Sequence, residues 1–229
     1  MLANFAWTVV VAGLDLPLVI DGLPSDVVVQ RGYDRVAQEY ARLESTTAEW
    51  PRSQRLRELL DQLPENSKIL DVGCGNGIPA MRLIQKRHIG VGVDISATQV
   101  SLARKNVPDA TFIRGNIMQL QFPTSSFSAI VSFYAIDHLP REQHLQLFRR
   151  FYSWLRPGGR LLFTTEPHDQ PGVTAQWLGV SMFFSQFDPD TTERLLTEAG
   201  LTVTDRSIES QREGETEIQY VWYSATKLP

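Results

Sequence analysis

The chain is predicted to fold as an α/β protein, a doubly wound, mostly parallel seven-stranded sheet with an antiparallel C-terminal strand. Three observations predict it. Short apolar runs alternate with segments of helical periodicity from Lys68 to Thr165, the pattern of parallel strands joined by crossover helices. A glycine-rich turn, Gly73-Cys-Gly-Asn-Gly77, directly follows the first apolar run. Two strand-like runs then close the chain with no helix between them, and only a hairpin joins strands so directly, so the last runs antiparallel.

Length and composition set the bounds. With 229 residues, 42% of them hydrophobic, the chain suits one domain with a sizeable core. A formal net charge of −4 and a pI near 5.6 lack the basic footprint of phosphate binding, so no nucleic-acid partner is expected. Cys74 is the sole cysteine, which excludes an internal disulfide and a multi-cysteine zinc site and suits a reducing, cytoplasmic setting. No repeat, charge block or low-complexity tract marks a second domain. A monomer or homodimer is expected.

The elements follow in order. Residues 1–29 read as an N-terminal extension with no assigned role. Its apolar run, Phe5 to Leu14, is shorter than the roughly 20 residues that span a bilayer. No Lys or Arg precedes Arg31 to form the basic start of a signal peptide, so no membrane insertion is expected. Residues 30–63 read as a helical cap: Tyr33, Val36, Ala37, Tyr40 and Ala41 share one face, and Leu56, Leu59, Leu60 and Leu63 another. Pro51 suits the first turn of the second helix.

Strands are read at Lys68 to Val72, His88 to Asp94, Ala110 to Arg114, Ser128 to Phe133 and Arg160 to Thr165. Between them lie a helix from Pro79 to Lys86 and another opened by Ser96-Ala-Thr-Gln99. There the Ser hydroxyl and Gln amide are each expected to satisfy a free backbone N–H, as in a capping box. A third helix, Arg141 to Leu155, stops at Pro157-Gly-Gly159. The last starts at Pro189 behind Asp188 as its cap and ends at Gly200. Leu201 to Ile208 and Glu217 to Ala225 are the closing strands.

The segment Ile69-Leu-Asp-Val-Gly-Cys-Gly-Asn-Gly-Ile78 carries most of the functional information. A glycine loop between strand and helix lets a ligand approach bare backbone, at the carboxyl ends of the strands where strand order reverses. A dinucleotide fingerprint needs Gly or Ala at position 78, which is Ile78. Asp71 also stands just before the loop, where a pyrophosphate meets an unfavourable charge. Both points favour a ligand without phosphates. Asp94 ends the second strand about twenty residues on, where a carboxylate accepts from two ribose hydroxyls.

These stretches, with Gly92 to Ser96, Arg114 to Leu120 and Leu155-Arg-Pro-Gly-Gly159, resemble the class I S-adenosylmethionine-dependent methyltransferases. The resemblance runs from about Gly32 to Tyr223 and is strongest to the group acting on small molecules, quinone-pathway enzymes among them. It implies a Rossmann-like methyltransferase fold, S-adenosyl-L-methionine as cofactor and a small-molecule methyl acceptor. It also implies that the backbone of Gly73 and Gly75, with Cys74 as a small residue between them, lies against the methionine part. Asp94 then holds the ribose, Ile95 lies beside adenine, and Asn116 and Ile117 fall where the family binds adenine. Asn116 replaces a frequent Asp, and its amide oxygen still accepts from the adenine amino group. Tyr33, Asp71 and Phe133 complete the expected cofactor contacts.

Methyl transfer from a sulfonium is an in-line displacement, so alignment and exclusion of water matter most, and alignment supplies roughly 7–11 kcal/mol of such barriers. His138, in Ser132-Phe-Tyr-Ala-Ile-Asp-His138, is the candidate base, with Asp137 expected to orient it. His88 and His144 read as surface positions, and His168 as a poorer candidate. Residues 170–188, rich in aromatics and Met, read as an acceptor lid, with Tyr134, His138, Trp177, Met182 and Phe183 as acceptor contacts. No metal is expected, although Asp137 and Glu166 leave room for magnesium. Ser132-Phe-Tyr-Ala135 differs from the Asp/Asn-Pro-Pro-aromatic turn of enzymes that methylate nucleic-acid amino groups, and Cys74 is misplaced for a cytosine-C5 nucleophile. The alternatives are a protein or RNA methyltransferase, or a non-catalytic cofactor-binding relative.

Overall fold

The computed structural model describes residues 22–46, 51–213 and 216–229. The apolar run Phe5 to Leu14 lies outside them.

Strand alternation decides the architecture. In β1 (Lys68–Val72), Ile69 faces one side of the sheet, and Leu70 and Val72 the other. The same alternation recurs in β4 (Phe127–Ser132), β5 (Leu155–Thr165) and β9 (Thr216–Thr226): Ala129, Leu162 and Trp222 face one way, and Ile130, Phe163 and Val221 the other. Both faces are apolar, so both must be covered by helices. α2 (Pro51–Asp61), α3 (Ala80–Ile84) and α4 (Ala97–Asn106) belong to the first face. On the second lie α5 (His144–Trp154) and α6 (Pro189–Glu198). The buried positions of α5, among them Leu147, Phe148, Phe151 and Trp154, have the spacing of a single helix face.

With β2 (Ile89–Asp94), β3 (Thr111–Arg114) and β8 (Thr202–Glu213), the sheet order is β3-β2-β1-β4-β5-β9-β8. β9 is antiparallel to both β5 and β8. The last strand is therefore inserted inside the sheet, and β8 forms the edge. The chain crosses over between β1 and β4, which pair in parallel with Asp71 opposite Val131. The cleft expected of this fold opens there.

Four readings are corrected. The first helix, α1 (Ser25–Thr46), starts at Ser25 rather than Gln30, absorbing the end of the presumed extension. The helix read from Arg141 to Leu155 spans His144 to Trp154 and ends before Pro157-Gly-Gly159, which lies within β5, paired from Leu155 with an irregularity of register opposite Phe127 to Ala129. Residues 170–188 are a second sheet, β6 (Gln170–Trp177) and β7 (Val180–Gln186), paired antiparallel. Its two-residue turn puts Leu178 at φ 47° and Gly179 at φ 76°, the left-handed pair that tight hairpins require. Lastly, His88 and His144 are buried, at 4% and 1% exposure.

The hairpin and α1 share an apolar cluster of Val29, Val36, Val180, Met182 and Phe184. A Cβ at Gly32 would stand 2.7 Å from the Met182 Cε and 3.1 Å from the Ser181 carbonyl. Glycine in mid-helix is what allows so close a crossing. Helix and hairpin together roof the carboxyl ends of the strands.

Candidate functional site

The glycine loop leaves β1 under tight constraint. Gly73 has φ 73° and Gly75 φ 52°, and a Cβ at Gly73 would lie 2.3 Å from that of Ala135, so no larger residue fits. The N–H groups of Gly73 and Cys74 both donate to the Val93 carbonyl, at 2.8 and 3.0 Å. The Gly75 N–H donates to Asp94 Oδ2 at 2.9 Å. The loop is thereby pinned to the end of β2.

Asp94 also accepts the Ser96 N–H on Oδ1 at 2.9 Å. Each carboxylate oxygen carries a second lone pair, so both keep an acceptor site. Burial raises the Asp94 carboxyl to about 6 and the Asp34 charge adds to this, while the Ser96 and Gly75 N–H groups oppose it. The Cys74 thiol is pushed up by burial and by the Asp94 and Asp71 charges, which makes it inert.

A cavity of about 450 Å³ lies beyond the loop. It is lined by the residues expected to hold the cofactor: Tyr33, Asp71, Gly73, Cys74, Gly75, Asp94, Ile95, Asn116, Ile117 and Phe133. Tyr134 and His138 also line it, and share a second, smaller pocket with Trp177. Met182 and Phe183 line neither. Met182 is fully buried under Gly32, and the Phe183 ring lies against Gly172. Phe184, on the Met182 face of the strand, reaches the smaller pocket instead.

Several lining residues escaped the sequence reading. Asp26, in the first turn of α1, accepts from Asn116 Nδ2 at 3.1 Å and so brings a carboxylate beside the position where the family often has one. Asn116 Oδ1 accepts the Met118 N–H. The Ser96 hydroxyl caps α4 by accepting the Gln99 N–H at 3.1 Å, but the reciprocal half of the capping box does not form. The Gln99 side chain is 1% exposed, its amide atoms have no partner among the described residues, and it lines the cavity near Gly75. Arg52 lines the cavity too, its guanidinium over the Tyr134 ring.

His138 sits on a short 3₁₀ turn (Ile136–His138) just after β4. Its Nδ1 is 2.8 Å from the Phe183 carbonyl, which can only accept, so Nδ1 carries the proton. Nε2 is then an acceptor, and the Tyr33 hydroxyl donates to it at 2.7 Å. Burial lowers the His138 pKa and keeps the ring neutral at pH 7. Asp137 does not orient it. On a 3₁₀ turn successive side chains diverge by about 120°, and Asp137 Oδ2 accepts the Glu166 N–H at 3.0 Å. Tyr134 is held at φ 56°, a conformation costing a non-glycine residue roughly 1–3 kcal/mol. Its N–H donates to Thr164 Oγ1 and its hydroxyl to Gln211 Oε1, at 2.7 and 2.8 Å.

Comparison with known proteins agrees with this geometry. Residues 69–159 match a family described as methyltransferase domain. Phosphoethanolamine N-methyltransferase of Plasmodium falciparum is 37% identical over 107 residues, 45% of this chain and 40% of that protein. The 27-O-demethylrifamycin SV methyltransferase of Amycolatopsis mediterranei is 31% identical over 159 residues, 60% of this chain and 58% of that one. The chain thus spans about half the length of these curated relatives. Among solved structures, a Haemonchus contortus phosphoethanolamine N-methyltransferase complexed with S-adenosylhomocysteine superposes with a TM-score of 0.70 over 90% of this chain and 61% of its own, at 14% identity, a likeness of fold. Taken with the glycine loop and the acid ending β2, these matches make the chain similar to the class I S-adenosylmethionine-dependent methyltransferases, with residues 69–159 matching a methyltransferase domain.

Proposed function

We propose that the protein transfers a methyl group to a small-molecule acceptor, with Tyr33 and His138 relaying the acceptor's proton. The observation that carries this reading is the 2.7 Å hydrogen bond from Tyr33 to His138 Nε2, at the wall shared by the cavity and the smaller pocket.

The residues fit the cofactor. Gln99 supplies buried amide atoms without a partner, Asp94 keeps free lone pairs, and beside Gly75 only the Gln99 amide oxygen comes within 4 Å of where a Cβ would stand. Asp94 and Gln99 would hold the ribose, and Asn116 with Asp26, Ile95 and Ile117 the adenine. Arg52 and Asp71 oppose in charge the two ends of the amino-acid part. When bound, S-adenosylmethionine supplies a methyl group already activated on a sulfonium.

The chain's own task is then alignment, dryness and a proton path. The roof of α1 and the hairpin keeps water out. Tyr33 accepts the acceptor's proton on its oxygen as its own moves to His138 Nε2, and the Phe183 carbonyl steadies the imidazolium through Nδ1. Such general-base assistance contributes about 10²–10⁴-fold. The relatives named for phosphoethanolamine and demethylrifamycin support a small-molecule acceptor.

The test is transfer of label from tritiated methyl cofactor into fractionated cell extract. The wild-type chain should label a small-molecule fraction. Tyr33→Phe and His138→Gln should each slow this by about 10²-fold or more, and in His138→Gln S-adenosylhomocysteine affinity, measured by calorimetry, should stay within about twofold. No labelled fraction with the wild-type chain, or label only in protein or RNA, would reject the proposal.

A further inference from the structure

The smaller pocket shares Tyr33, Tyr40, Tyr134 and His138 with the cofactor cavity, and adds two carboxyl groups, Asp137 and Glu166. Apart from Ile218, its walls are otherwise aromatic. The Tyr40 and Trp177 rings meet at 5.4 Å, Tyr33 lies within 5.7 Å of each, and Tyr134 and Tyr220 pair at 4.6 Å. No Lys or Arg lines it among the described residues.

Asp137 is 5% exposed, and its Oδ1 has no hydrogen-bond partner among the described residues. A buried carboxyl oxygen left unpaired is costly, and a positive ligand relieves the cost. Glu166, its side chain 13% exposed, has Oε2 3.1 Å from Nε2 of the exposed His168 ring, which does not itself line the pocket. Aromatic faces attract a cation by roughly 0.5–2 kcal/mol each. An anion would meet the two acids with no Lys or Arg among the lining residues, and a neutral group would leave the Asp137 Oδ1 without a charge partner.

We propose that this pocket recognises an aliphatic amine in its cationic form, held between the tyrosine and tryptophan rings and the Asp137–Glu166 pair. Resting on the methyl-transfer reading above, this names the acceptor's class. Burial and the Glu166 charge push the Asp137 carboxyl well above the usual range, the condition of an acid lacking a cation. For methylation, the ammonium first yields one proton through Tyr33 to His138 Nε2. The freed nitrogen lone pair forms the C–N bond while the C–S pair stays on sulfur, and the methylated nitrogen again carries one positive charge.

The experiment compares propylamine, cationic at pH 7.5, with propan-1-ol by ligand-observed NMR on the full chain saturated with S-adenosylhomocysteine. Propylamine should bind at least tenfold more tightly. Asp137→Asn, which keeps an acceptor for the Glu166 N–H, should cut the preference below threefold, and Glu166→Gln should reduce it in the same direction. Equal affinities, or a preference unchanged in both variants, would overturn the proposal. Calorimetry with S-adenosylhomocysteine separates the two readings. Cofactor binding without amine preference rejects only the amine, and amine preference without cofactor binding rejects the methyl-transfer reading.

Discussion

Asp94 pairs each carboxylate oxygen with one N–H of the chain and keeps the rest of its accepting capacity turned to the cavity. On the proposed reading, in which ribose hydroxyls donate to the ionised carboxylate, its pKa of about 6 makes cofactor binding pH-dependent. Below pH 6 a proton must first leave, so affinity should fall about tenfold per pH unit, one unit being about 1.4 kcal/mol. Calorimetry with S-adenosylhomocysteine should give roughly tenfold weaker binding at pH 5 than at pH 7.5, and Asp94→Asn should bind weakly at both. A wild-type affinity flat across that range would remove Asp94 from the ribose. The cavity-lining loop and strand tips were legible because few sites need glycines at that spacing together with an acid at the end of the next strand. Gln99 was not, since the spacing that makes a capping box also delivers a glutamine to the cavity. Asp26 was not either, because nothing local links a helix start to a loop 90 residues on. The adjacency of Asp137 and His138 misled for a related reason: neighbours in sequence are not neighbours on a 3₁₀ turn.

At the scale of elements, α5 begins on a buried histidine. His144 Nε2 faces the Leu139 carbonyl at 3.2 Å, Nδ1 has no partner among the described residues, and the ring packs against Phe148 and Phe187. Burial lowers its pKa to about 4, against 6.5 when unfolded. A folded value below the unfolded one means that stability is complete above pH 6.5 and is lost as pH falls toward 4, on the order of 3 kcal/mol in all. Asp94, raised by burial, titrates in the same window with the opposite sign, its share fully present below pH 3.8 and lost as pH rises through about 6. The wild-type curve mixes both. His144→Phe isolates the histidine: in urea melts the variant should gain on the wild type by about 2–3 kcal/mol between pH 7 and pH 4.5, and a constant difference would contradict the burial argument. The sheet and its helices could be read from period alone, since both faces of each central strand are apolar. The β6–β7 hairpin could not. Its turn places a leucine at positive φ, where the usual Asn or Gly would have announced it, and its Met and aromatic run looked like a loop insertion.

Across the whole molecule, α1 is tied to the sheet body by acids as well as by its apolar cluster with β7. Asp34 Oδ1 accepts the Ser96 hydroxyl at 2.6 Å and the Thr98 N–H at 3.0 Å, satisfying one of the free donors at the start of α4. Burial works to raise the Asp34 carboxyl, but these bonds outweigh it and hold it below its usual range. The loop that Asp34 grips follows directly on Asp94, so on the proposed reading ligand contact at Asp94 and seating of α1 should be coupled. Opening of the roof should therefore be a local event that the cofactor suppresses, distinct from unfolding of the core. Asp34→Ala removes a charge-assisted contact of about 1.5–3 kcal/mol. It should speed amide exchange over residues 25–43 by about tenfold or more, while the amides of β1 and β4 keep wild-type protection. In the wild type, S-adenosylhomocysteine should slow the same amides of α1. If β1 and β4 speed up in step with α1, the helix opens only with the whole domain, and entry to the cavity needs another route than lifting this roof.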